Sequence, residues 1–433
     1  MRTLRFSDGD FSLQLAALDR RATPAAEVEA TVKEILRQVR EEGDRALLAL
    51  TEKFGGPRFA SAEELRVTPQ EFEAAKAAVP AQVREAIAAS HENVRQFGLH
   101  SRRTDWSNRN AQGVEVGERF DPFERVGVYV PGGTAPLVST AIMTCTLAAV
   151  AGVPEIVVTT PSDAEGNVNP ALLYALEYAG ATEVYKVGGA QAIGALACGT
   201  ATIPPVVKIY GPGNAYVVEA KRQTVGLVAI DLLPGPSEIL VLADETANPA
   251  WIAADLLAQA EHGKNSAVVL VTDSEAILEG VRREIDRQAA TLSRASHLRE
   301  VLEGSTTLVL VADLDAAIDL CNRFAPEHAS VVTRDDDAVA ARLRTCGAIF
   351  LGALSPVAGG DFFAGPSHVL PTGGAGKSFP GLTVDQFQRR TSLVRFDRAS
   401  LARSLPGIEA FAGVEGLDAH GRSASIRLET PGE

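Results

Sequence analysis

The first hundred residues place apolar side chains at the spacing of amphipathic helices. Between residues 25 and 54 apolar positions recur every three or four residues, and charged side chains occupy the other face. These positions are Val28, Val32, Ile35, Leu36 and Val39. A second stretch of the same style opens with Thr68 as a helix N-cap and Pro69 in the first turn. The pattern predicts helical scaffolding here rather than catalytic chemistry.

From Arg125 onward, short runs of apolar and β-branched residues alternate with helical stretches rich in Ala and Leu. The runs are "VGVYV", "EIVVTT", "EVYKVG", "VVKIYG", "EILVLAD", "AVVLVTD" and "TTLVLVAD". Uninterrupted apolar strands separated by helices are typical of parallel sheets covered on both faces. They predict an α/β protein with two doubly wound, Rossmann-like parallel-sheet domains and small N- and C-terminal segments.

The same alternation predicts where the domains begin and end. Residues 1–25 are expected to form an N-terminal segment, and residues 126–236 one Rossmann-like domain with several glycine-rich loops. Residues 26–125 and 237–380 together are expected to form the other Rossmann-like domain, which is discontinuous and has a helical N-terminal part. Residues 381–433 are expected to form a C-terminal segment.

Length and charge narrow the class of protein. At 433 residues the chain is too long for one ordinary hydrophobic core. Its 41 basic and 55 acidic residues give a net charge of −14 without a Lys/Arg cluster, so nucleic acids and anionic membranes are not expected partners. No stretch reaches the roughly 18 apolar residues of a membrane span, and residues 1–20 lack a signal-peptide core. Four scattered cysteines without CxxC spacing favour reduced thiols in the cytoplasm.

Four glycine-rich stretches are candidates for binding an anionic cofactor. They are "YVPGGTAPL" (129–137), "VGGAQAIG" (187–194), "YGPGNAY" (210–216) and "LPGPSE" (233–238). At least three follow a predicted strand and precede a helix, where backbone N–H groups favour a pyrophosphate. None matches G-x-G-x-x-G, and each alone is also compatible with a tight turn, but four together favour a nucleotide cleft. "GGAGKS" (373–378) is not a P-loop, because Pro371 stands where the first glycine is needed.

One helix carries two candidate metal ligands. In "NPAWIAADLLAQAEHGKN", Asn248 suits the N-cap, Pro249 the first turn and Gly263 the exit. Gln259 and His262 are three residues apart and share a face near the end of this helix. A histidine at a helix end is more often a dipole-satisfying cap, so a metal site needs ligands from elsewhere.

Further candidate ligands lie more than a hundred residues away in the sequence. Asp361 and His368 stand in the glycine-rich loop "AGGDFFAGPSHVLPTGG", and Glu415 and His420 stand near the end of the chain. Two imidazoles with carboxylate and amide oxygens would suit zinc or a similar divalent ion.

"RFAPEHAS" (323–330) places a glutamate and a histidine side by side after a proline, just before a β-branched pair. Glu327 and His328 are therefore either part of a solvated corner or working groups of a site. Pro326 fixes one backbone angle ahead of them.

The chain resembles the histidinol dehydrogenase family. The motifs that carry the resemblance run in family order across roughly residues 120–395, which is a more specific signal than any single glycine loop. They are "RVGVYVPGGTAPL", "GGAQAIGALACGT", "KIYGPGNAYVVEAKR", "IDLLPGPSEILVLAD", "LLAQAEHG", "RFAPEHAS", "GGDFFAGPSHVLPTGG" and "QRRTSLV".

The resemblance implies an enzyme that oxidises L-histidinol through L-histidinal to L-histidine with two NAD⁺, the last steps of histidine biosynthesis. It implies one zinc ion per active site, with Gln259, His262, Asp361 and His420 as ligands. It also implies a homodimer in which the C-terminal segment, including His420, completes the active site of the partner.

Roles for further residues follow from the same resemblance. Glu327 and His328 would be catalytic: His328 as the base for the alcohol, and Glu327 to activate the water that hydrates the aldehyde. Zinc would act mainly as a template for the substrate. The implied substrate contacts are Ser237, Gln259, His262, His328, Asp361, His368, Glu415 and His420. The implied NAD contacts are Tyr129, Gln191 and Asn214.

Three alternatives remain open at this point. A dehydrogenase on the same scaffold could act on another amino alcohol or polar alcohol. A zinc hydrolase could use Glu327 to activate water without NAD, which would leave the glycine loops without a role. A non-catalytic nucleotide-binding protein would leave Glu327 and His328 unexplained. Catalysis by Cys145 or Cys198 is disfavoured, because both lie in apolar helical runs.

Overall fold

The computed structural model describes residues 1–18, 25–132, 136–263 and 265–429. Over these residues the strands, in chain order, are β1 (Arg2–Arg5), β2 (Trp106–Arg109), β3 (Glu115–Pro122), β4 (Arg125–Tyr129), β5 (Glu155–Thr159), β6 (Glu183–Tyr185), β7 (Lys208–Tyr210), β8 (Ala229–Ile230), β9 (Glu238–Ala243), β10 (Ala267–Thr272), β11 (Thr306–Leu310), β12 (His328–Val332), β13 (Ala348–Leu351) and β14 (Gln388–Arg395).

The α-helices of the same residues are α1 (Phe11–Ala16), α2 (Ala26–Glu42), α3 (Asp44–Lys53), α4 (Pro69–Ala78), α5 (Ala81–Ser101), α6 (Val138–Ala151), α7 (Pro170–Tyr178), α8 (Gly189–Cys198), α9 (Ala215–Thr224), α10 (Pro249–Ala260), α11 (Glu275–Ala289), α12 (Ala295–Gly304), α13 (Leu314–Phe324), α14 (Asp336–Ala340), α15 (Val357–Phe362), α16 (Arg398–Glu415) and α17 (Asp418–Glu429).

Two parallel sheets form the centre of the molecule. The six-stranded sheet has the order β1-β11-β10-β9-β12-β13, and the five-stranded sheet has the order β6-β5-β4-β7-β8. Neighbouring strands within both sheets run parallel. Strands β9 and β10 are buried along their whole length, as continuous apolar runs require when helices cover both faces. The predicted α/β class with two parallel sheets is confirmed.

The helical N-terminal part packs on the five-stranded sheet. Helix α8 connects β6 and β7 of that sheet. A buried cluster joins its residues Ile193 and Leu196 to Val32, Ile35 and Val39 of α2. The predicted grouping of residues 26–125 with 237–380 stays a prediction about domains, but these contacts join α2 to the other sheet. Strand β1 lies within the predicted N-terminal segment and is the edge strand of the six-stranded sheet.

A third, antiparallel sheet connects the C-terminal segment to the rest of the chain. Its order is β14-β3-β2, and β14 pairs along its full length with β3. The sequence analysis did not predict these strands. All four residues of β2 are exposed and most of β14 is too, so neither shows apolar alternation.

Helix starts agree with the predicted capping residues. Thr68 accepts a hydrogen bond from the backbone N–H of Glu71 and receives the reciprocal capping-box bond, with Pro69 in the first turn of α4. Asn248 accepts a hydrogen bond from Ala250 at the start of α10. No helix among the described residues is long and apolar enough to cross a bilayer.

Candidate active site

The backbone turns sharply just before Glu327 and His328. Helix α13 ends at Phe324, and Ala325 adopts φ 53° and ψ 64°, the only positive φ outside glycine in the described chain. This left-handed conformation costs a non-glycine residue roughly 1 kcal/mol or more. Pro326 follows, and β12 begins at His328. The turn places both titratable side chains at the amino edge of the six-stranded sheet.

Residues at the start of the neighbouring strand hold the Glu327 carboxylate. Ser237 Oγ donates a hydrogen bond to Glu327 Oε2 at 2.5 Å, and the backbone N–H of Glu238 donates to the same oxygen at 2.8 Å. The side chain of Glu327 is buried. Two donors to one oxygen stabilise a carboxylate that would otherwise be costly to bury.

The ring of His328 is fixed by the same strand. Its Nδ1 lies 2.9 Å from the backbone oxygen of Glu238. Because a carbonyl oxygen can only accept, Nδ1 carries the proton, and Nε2 holds the lone pair of the neutral ring. Nε2 lies 3.4 Å from Asp361 Oδ1 and has no hydrogen-bond partner among the described residues. The basic atom of His328 therefore lies beside Asp361.

Charges in this cluster perturb each other's protonation. Burial opposes the charged ring of His328, but the Glu327 carboxylate and then Asp361 outweigh it and raise the pKa of His328 to about 9. Burial raises the pKa of Glu327, with His328 and the Ser237 hydrogen bond opposing the rise. Burial also works against ionised Asp361, but His328 outweighs it, and the pKa of Asp361 is lowered. In this arrangement the protonated ring faces at least one carboxylate.

His368 connects the two halves of the molecule. Its Nδ1 donates to the backbone oxygen of Asp361 at 2.9 Å, and its Nε2 lies 3.1 Å from Thr140 Oγ1. Thr140 is in the first turn of α6, which follows β4 of the five-stranded sheet. Burial lowers the pKa of His368, which keeps the ring neutral, so Nε2 accepts from the threonine hydroxyl. The carboxyl edge of one sheet thus meets the amino edge of the other.

Gln259 lies in the last turn of α10, which also points to this edge. The helix ends at Ala260, earlier than the predicted exit at Gly263, so His262 lies two residues beyond the helix and not on its face. Gln259 is buried, and both its amide oxygen and nitrogen lack a hydrogen-bond partner among the described residues. Buried amides are rarely left unpaired, and both polar atoms of this one are available to a ligand. His262 is exposed and close enough to act electrostatically on Glu327, Asp361 and His368. Two of the four predicted zinc ligands, Asp361 and His262, therefore lie at one cluster, and Gln259 precedes His262 by three residues.

The other predicted ligand and one substrate contact lie elsewhere on the chain. Glu415 ends α16 and His420 is in α17, and both side chains are exposed. Helix α16 contacts the β2–β3 turn, where Arg403 Nε donates to Gln112 O at 2.8 Å. Among the described residues no hydrogen bond or ion pair joins Glu415 or His420 to the cluster. Within those residues, no three His, Cys, Asp or Glu side chains form a metal-binding group.

The predicted cofactor residues lie at the carboxyl edge of the five-stranded sheet. Tyr129 ends β4, and its hydroxyl accepts a hydrogen bond from Gly189 N at 3.2 Å at the start of α8. Gln191 in the same helix is buried, with its Oε1 unpartnered in the described chain. Asn214 is exposed and caps α9 through Tyr216 N at 3.0 Å. These residues lie at or just after the carboxyl ends of β4, β6 and β7, which share one sheet edge.

Two cavities border the cluster and the loops. One of about 520 Å³ is lined by His328, Asp361 and His368, with Phe350 and Phe363 forming apolar walls. The other, of about 540 Å³, lies along the residues that follow β4 and β5, and is lined by Gly132, Pro136, Pro161, Ser162 and Asn169 among others. Their sizes are typical of small-molecule sites.

Sequence reasoning missed Glu238 and Thr140. Glu238 holds Glu327 through its backbone N–H and His328 through its backbone oxygen. Because these contacts are made by backbone groups, a motif of side chains does not predict them. A glutamate as the first residue of the buried strand β9 was the available signal.

Cys145, in contrast, is fully buried, and burial raises its thiol pKa to about 12, which removes it as a nucleophile near neutral pH.

Comparison with known proteins decides the family. The histidinol dehydrogenase family profile matches residues 18–428. The chain is 44% identical to the histidinol dehydrogenase of Syntrophotalea carbinolica, over 99% of both chains. It is also 44% identical to that of Geobacillus kaustophilus, over 93% of this chain and 94% of the relative. The chain belongs to the histidinol dehydrogenase family.

The fold is that of the histidinol dehydrogenase family as well. The crystal structure of histidinol dehydrogenase from Elizabethkingia anophelis superposes with a TM-score of 0.94 at 35% identity, over 99% of this chain and 98% of that chain. The resemblance drawn from the ordered motifs is therefore confirmed, and the protein is an oxidoreductase. The roles of the individual residues within this histidinol dehydrogenase fold remain predictions.

Proposed function

We propose that the protein is a zinc-dependent histidinol dehydrogenase that oxidises L-histidinol through L-histidinal to L-histidine with two NAD⁺, in the cytoplasm, as the last steps of histidine biosynthesis. One observation carries the proposal. The buried Glu327–His328 pair faces Asp361, within electrostatic reach of His262, which stands three residues after the unpartnered Gln259 amide. Such a cluster of perturbed titratable groups next to a cavity is typical of an active site.

The donor set fits zinc. Gln259 offers an amide oxygen, Asp361 a carboxylate and His262 an imidazole, which together suit a borderline divalent cation. The unpartnered amide of Gln259 is accounted for if its oxygen binds a cation. Bound zinc would serve mainly as a template for the amine and imidazole of the substrate. His420 of a second copy is the proposed fourth ligand.

The glycine loops fit a dinucleotide. Tyr129, Gln191 and Asn214 are proposed to contact NAD, whose nicotinamide supplies the hydride acceptor for both oxidations. The starts of α8 and α9 bring backbone N–H groups to the same edge, where they favour pyrophosphate oxygens. The unpartnered Oε1 of Gln191 is free to accept a hydrogen bond from a bound ligand.

In the first oxidation His328 acts as the base. Neutral His328 takes the hydroxyl proton at Nε2, because Nδ1 is occupied by Glu238 O. As that proton leaves, the carbon loses a hydride and the alcohol becomes an aldehyde. The ring works only in its neutral form, so the first oxidation speeds up as pH rises through the pKa of His328. The neighbouring carboxylates place that pKa above the ordinary value of about 6.5.

In the second oxidation Glu327 activates water. Both hydrogen bonds to its carboxylate end on Oε2, which leaves Oε1 to take a proton from water as the oxygen adds to the aldehyde carbon. His328 returns the proton of the first step to the former aldehyde oxygen, which completes the hydrate and leaves the ring neutral again. The hydrate then gives a hydroxyl proton to His328 and its hydride to the second NAD⁺, which yields the carboxylic acid. Ser237 holds Glu327 in place and is proposed, with His368 and Glu415, to contact the substrate.

A homodimer would complete the site. Glu415 and His420 are exposed on the C-terminal helices, next to Phe411 and Val414, which are 72% and 88% exposed. Large apolar side chains this exposed on a helix pair are a common feature of subunit interfaces. We assign this face to a second copy of the chain, whose Glu415 and His420 reach the cluster described above.

The experiment that tests the function counts NADH released per L-histidinol consumed, with and without a chelator. Two NADH per substrate, lost on chelation and restored by zinc, is the expected result. One NADH per substrate, or full activity in chelator, would overturn the proposal. Turnover of another amino alcohol with none of histidinol would favour the alternative of a relative with a different substrate.

Sharing of the site is tested by mixing two inactive variants. His328→Asn removes one copy's base, and His420→Asn removes the ligand given to the other copy. After random exchange of subunits, half of the dimers are mixed and each has one intact site, so about a quarter of the wild-type activity should return. No recovery, with subunit exchange shown by mass spectrometry of the intact dimer, would rule the shared site out.

A further inference from the structure

A buried ion pair holds the loop between β7 and α9. The side chains of Lys221 and Asp231 are fully buried and paired with each other. Lys221 Nζ also donates to the backbone oxygen of Gly211 at 2.7 Å, and Asp231 Oδ2 accepts from the backbone N–H of Gly211 at 2.8 Å. The pair therefore satisfies both backbone polar groups of a single glycine.

Gly211 is the residue at which the loop "GPGN" leaves the sheet. Its φ is +105°, and a Cβ there would lie 2.1 Å from the backbone oxygen of Tyr129. The loop thus depends on a glycine pressed against the end of β4, and it finishes at Asn214, the cap of α9. Tyr129 and Asn214 are both proposed cofactor contacts, so the position of Gly211 sets the distance between them.

A gain in folding stability does not explain why a charged pair, Lys221 and Asp231, is buried beside Gly211. Burying two charges costs several kcal/mol per ion before pairing, and apolar side chains of similar size are often as stable. Apolar side chains could not, however, satisfy the N–H and C=O of Gly211. A lysine and an aspartate that each take one of these groups fix the loop backbone in a single position.

We infer that Lys221 and Asp231 are positioning residues of the cofactor loop: the buried pair orients Gly211–Asn214 to receive the dinucleotide. The inference rests on the proposed function, because it takes NAD as the ligand of these loops. Neither side chain is part of the cluster around His328, so the pair acts on cofactor binding and not on the chemistry of the alcohol.

The test uses the zinc-loaded enzyme and the double variant Lys221→Met/Asp231→Leu. This variant removes both charges together, which protects the fold from an unpaired buried ion. The dissociation constant and KM for NAD⁺ should rise about 10- to 100-fold, while KM for histidinol changes less than about twofold. Amide hydrogens of residues 211–216 should exchange at least about tenfold faster in the free protein.

Arg125→Met is the matched control. Arg125 pairs with Glu155 and Glu183 at the amino edge of the same sheet, opposite the loops. Its loss should lower the melting temperature and leave NAD⁺ affinity and the exchange of residues 211–216 unchanged.

A double variant with wild-type NAD⁺ affinity and wild-type exchange at residues 211–216 would overturn the inference. Failure of the proposed function looks different: wild-type protein would then bind no NAD⁺, while faster exchange in the double variant would still support the role of the pair in holding the loop. If the double variant does not fold, Lys221→Met is measured by the same two readouts and judged by the same results; it removes the donor to Gly211 O and leaves the Asp231 carboxylate with the backbone N–H groups of Gly211 and Leu232 as donors.

Discussion

The hydrogen bond from Ser237 to Glu327 allows the effect of Ser237→Ala on the rate of the proposed second oxidation to be predicted. Ser237→Ala removes the hydroxyl that lies 2.5 Å from Glu327 Oε2 and leaves the Glu238 N–H at 2.8 Å. A hydrogen bond to a charged group contributes about 1.5–3 kcal/mol. At about 1.4 kcal/mol per factor of ten, the variant should lose about 10- to 100-fold in the rate of aldehyde oxidation when Glu327 must be ionised.

The sign of the pH dependence distinguishes this role from simple substrate binding. The Ser237 hydroxyl favours the ionised carboxylate, so its removal raises the pKa of Glu327 beyond the rise that burial already causes. Below that pKa the carboxyl is protonated and cannot take a proton from water. The loss should therefore be largest at low pH and shrink as pH rises.

The assay is NADH formation from L-histidinal and from L-histidinol between about pH 6 and pH 10. Ser274→Ala is the control, because it removes a serine that caps α11 far from the site. It should lower stability without moving either pH profile. A loss in Ser237→Ala that is equal at every pH would refute the reasoning, since it would mean that the hydroxyl only binds substrate.

Three other predictions concern single side chains. Glu327→Gln should lower the pKa of His328 from about 9, because the Glu327 charge is the strongest group that raises it; NMR titration of the metal-free protein that shows no fall would contradict this. Burial raises the pKa of Asp255 in the folded protein to about 6. Ionisation of Asp255 therefore lowers the free energy of unfolding as pH rises from about 4, and the full loss is reached above about pH 6. Asp255→Asn should add roughly 1 kcal/mol, after discounting for solvent screening, to the free energy of unfolding at pH 8 and nothing at pH 4; denaturant melts giving equal gains at both would refute it. Cys145→Ala should have a kcat within about twofold of the wild-type value, and a much larger loss would indicate that the thiol takes part in catalysis.

The sequence predicted most of the fold where burial leaves a periodic signal. The apolar runs became β4, β5, β9, β10 and β11, and Thr68 and Asn248 cap helices as expected. The antiparallel sheet was missed because its strands expose most of their side chains. The edge strand β1 was missed because only one of its four residues is buried.

The candidate site was predictable where it consists of side chains in ordered motifs. Glu327, His328 and Asp361 could be named from the sequence and lie in one cluster in the structure. The contribution of Glu238 could not be predicted, because its backbone groups make the contacts. The proposed placement of His420 within a site requires a second chain, which a pattern along one chain does not contain.

The edges of the two sheets have a consequence for the distance between the reacting atoms. His328 begins a strand of one sheet, whereas Tyr129 ends a strand of the other. A slip of one residue in either sheet would move the proposed base or the proposed cofactor contact by about 3.3 Å along the strand, whereas the proposed hydride transfer needs reacting atoms held about 3–3.5 Å apart. Buried side chains fix the register of the strands, and the register therefore sets the distance between the two edges. Substitutions deep in either core should alter turnover even though the substituted residues contact neither substrate nor cofactor.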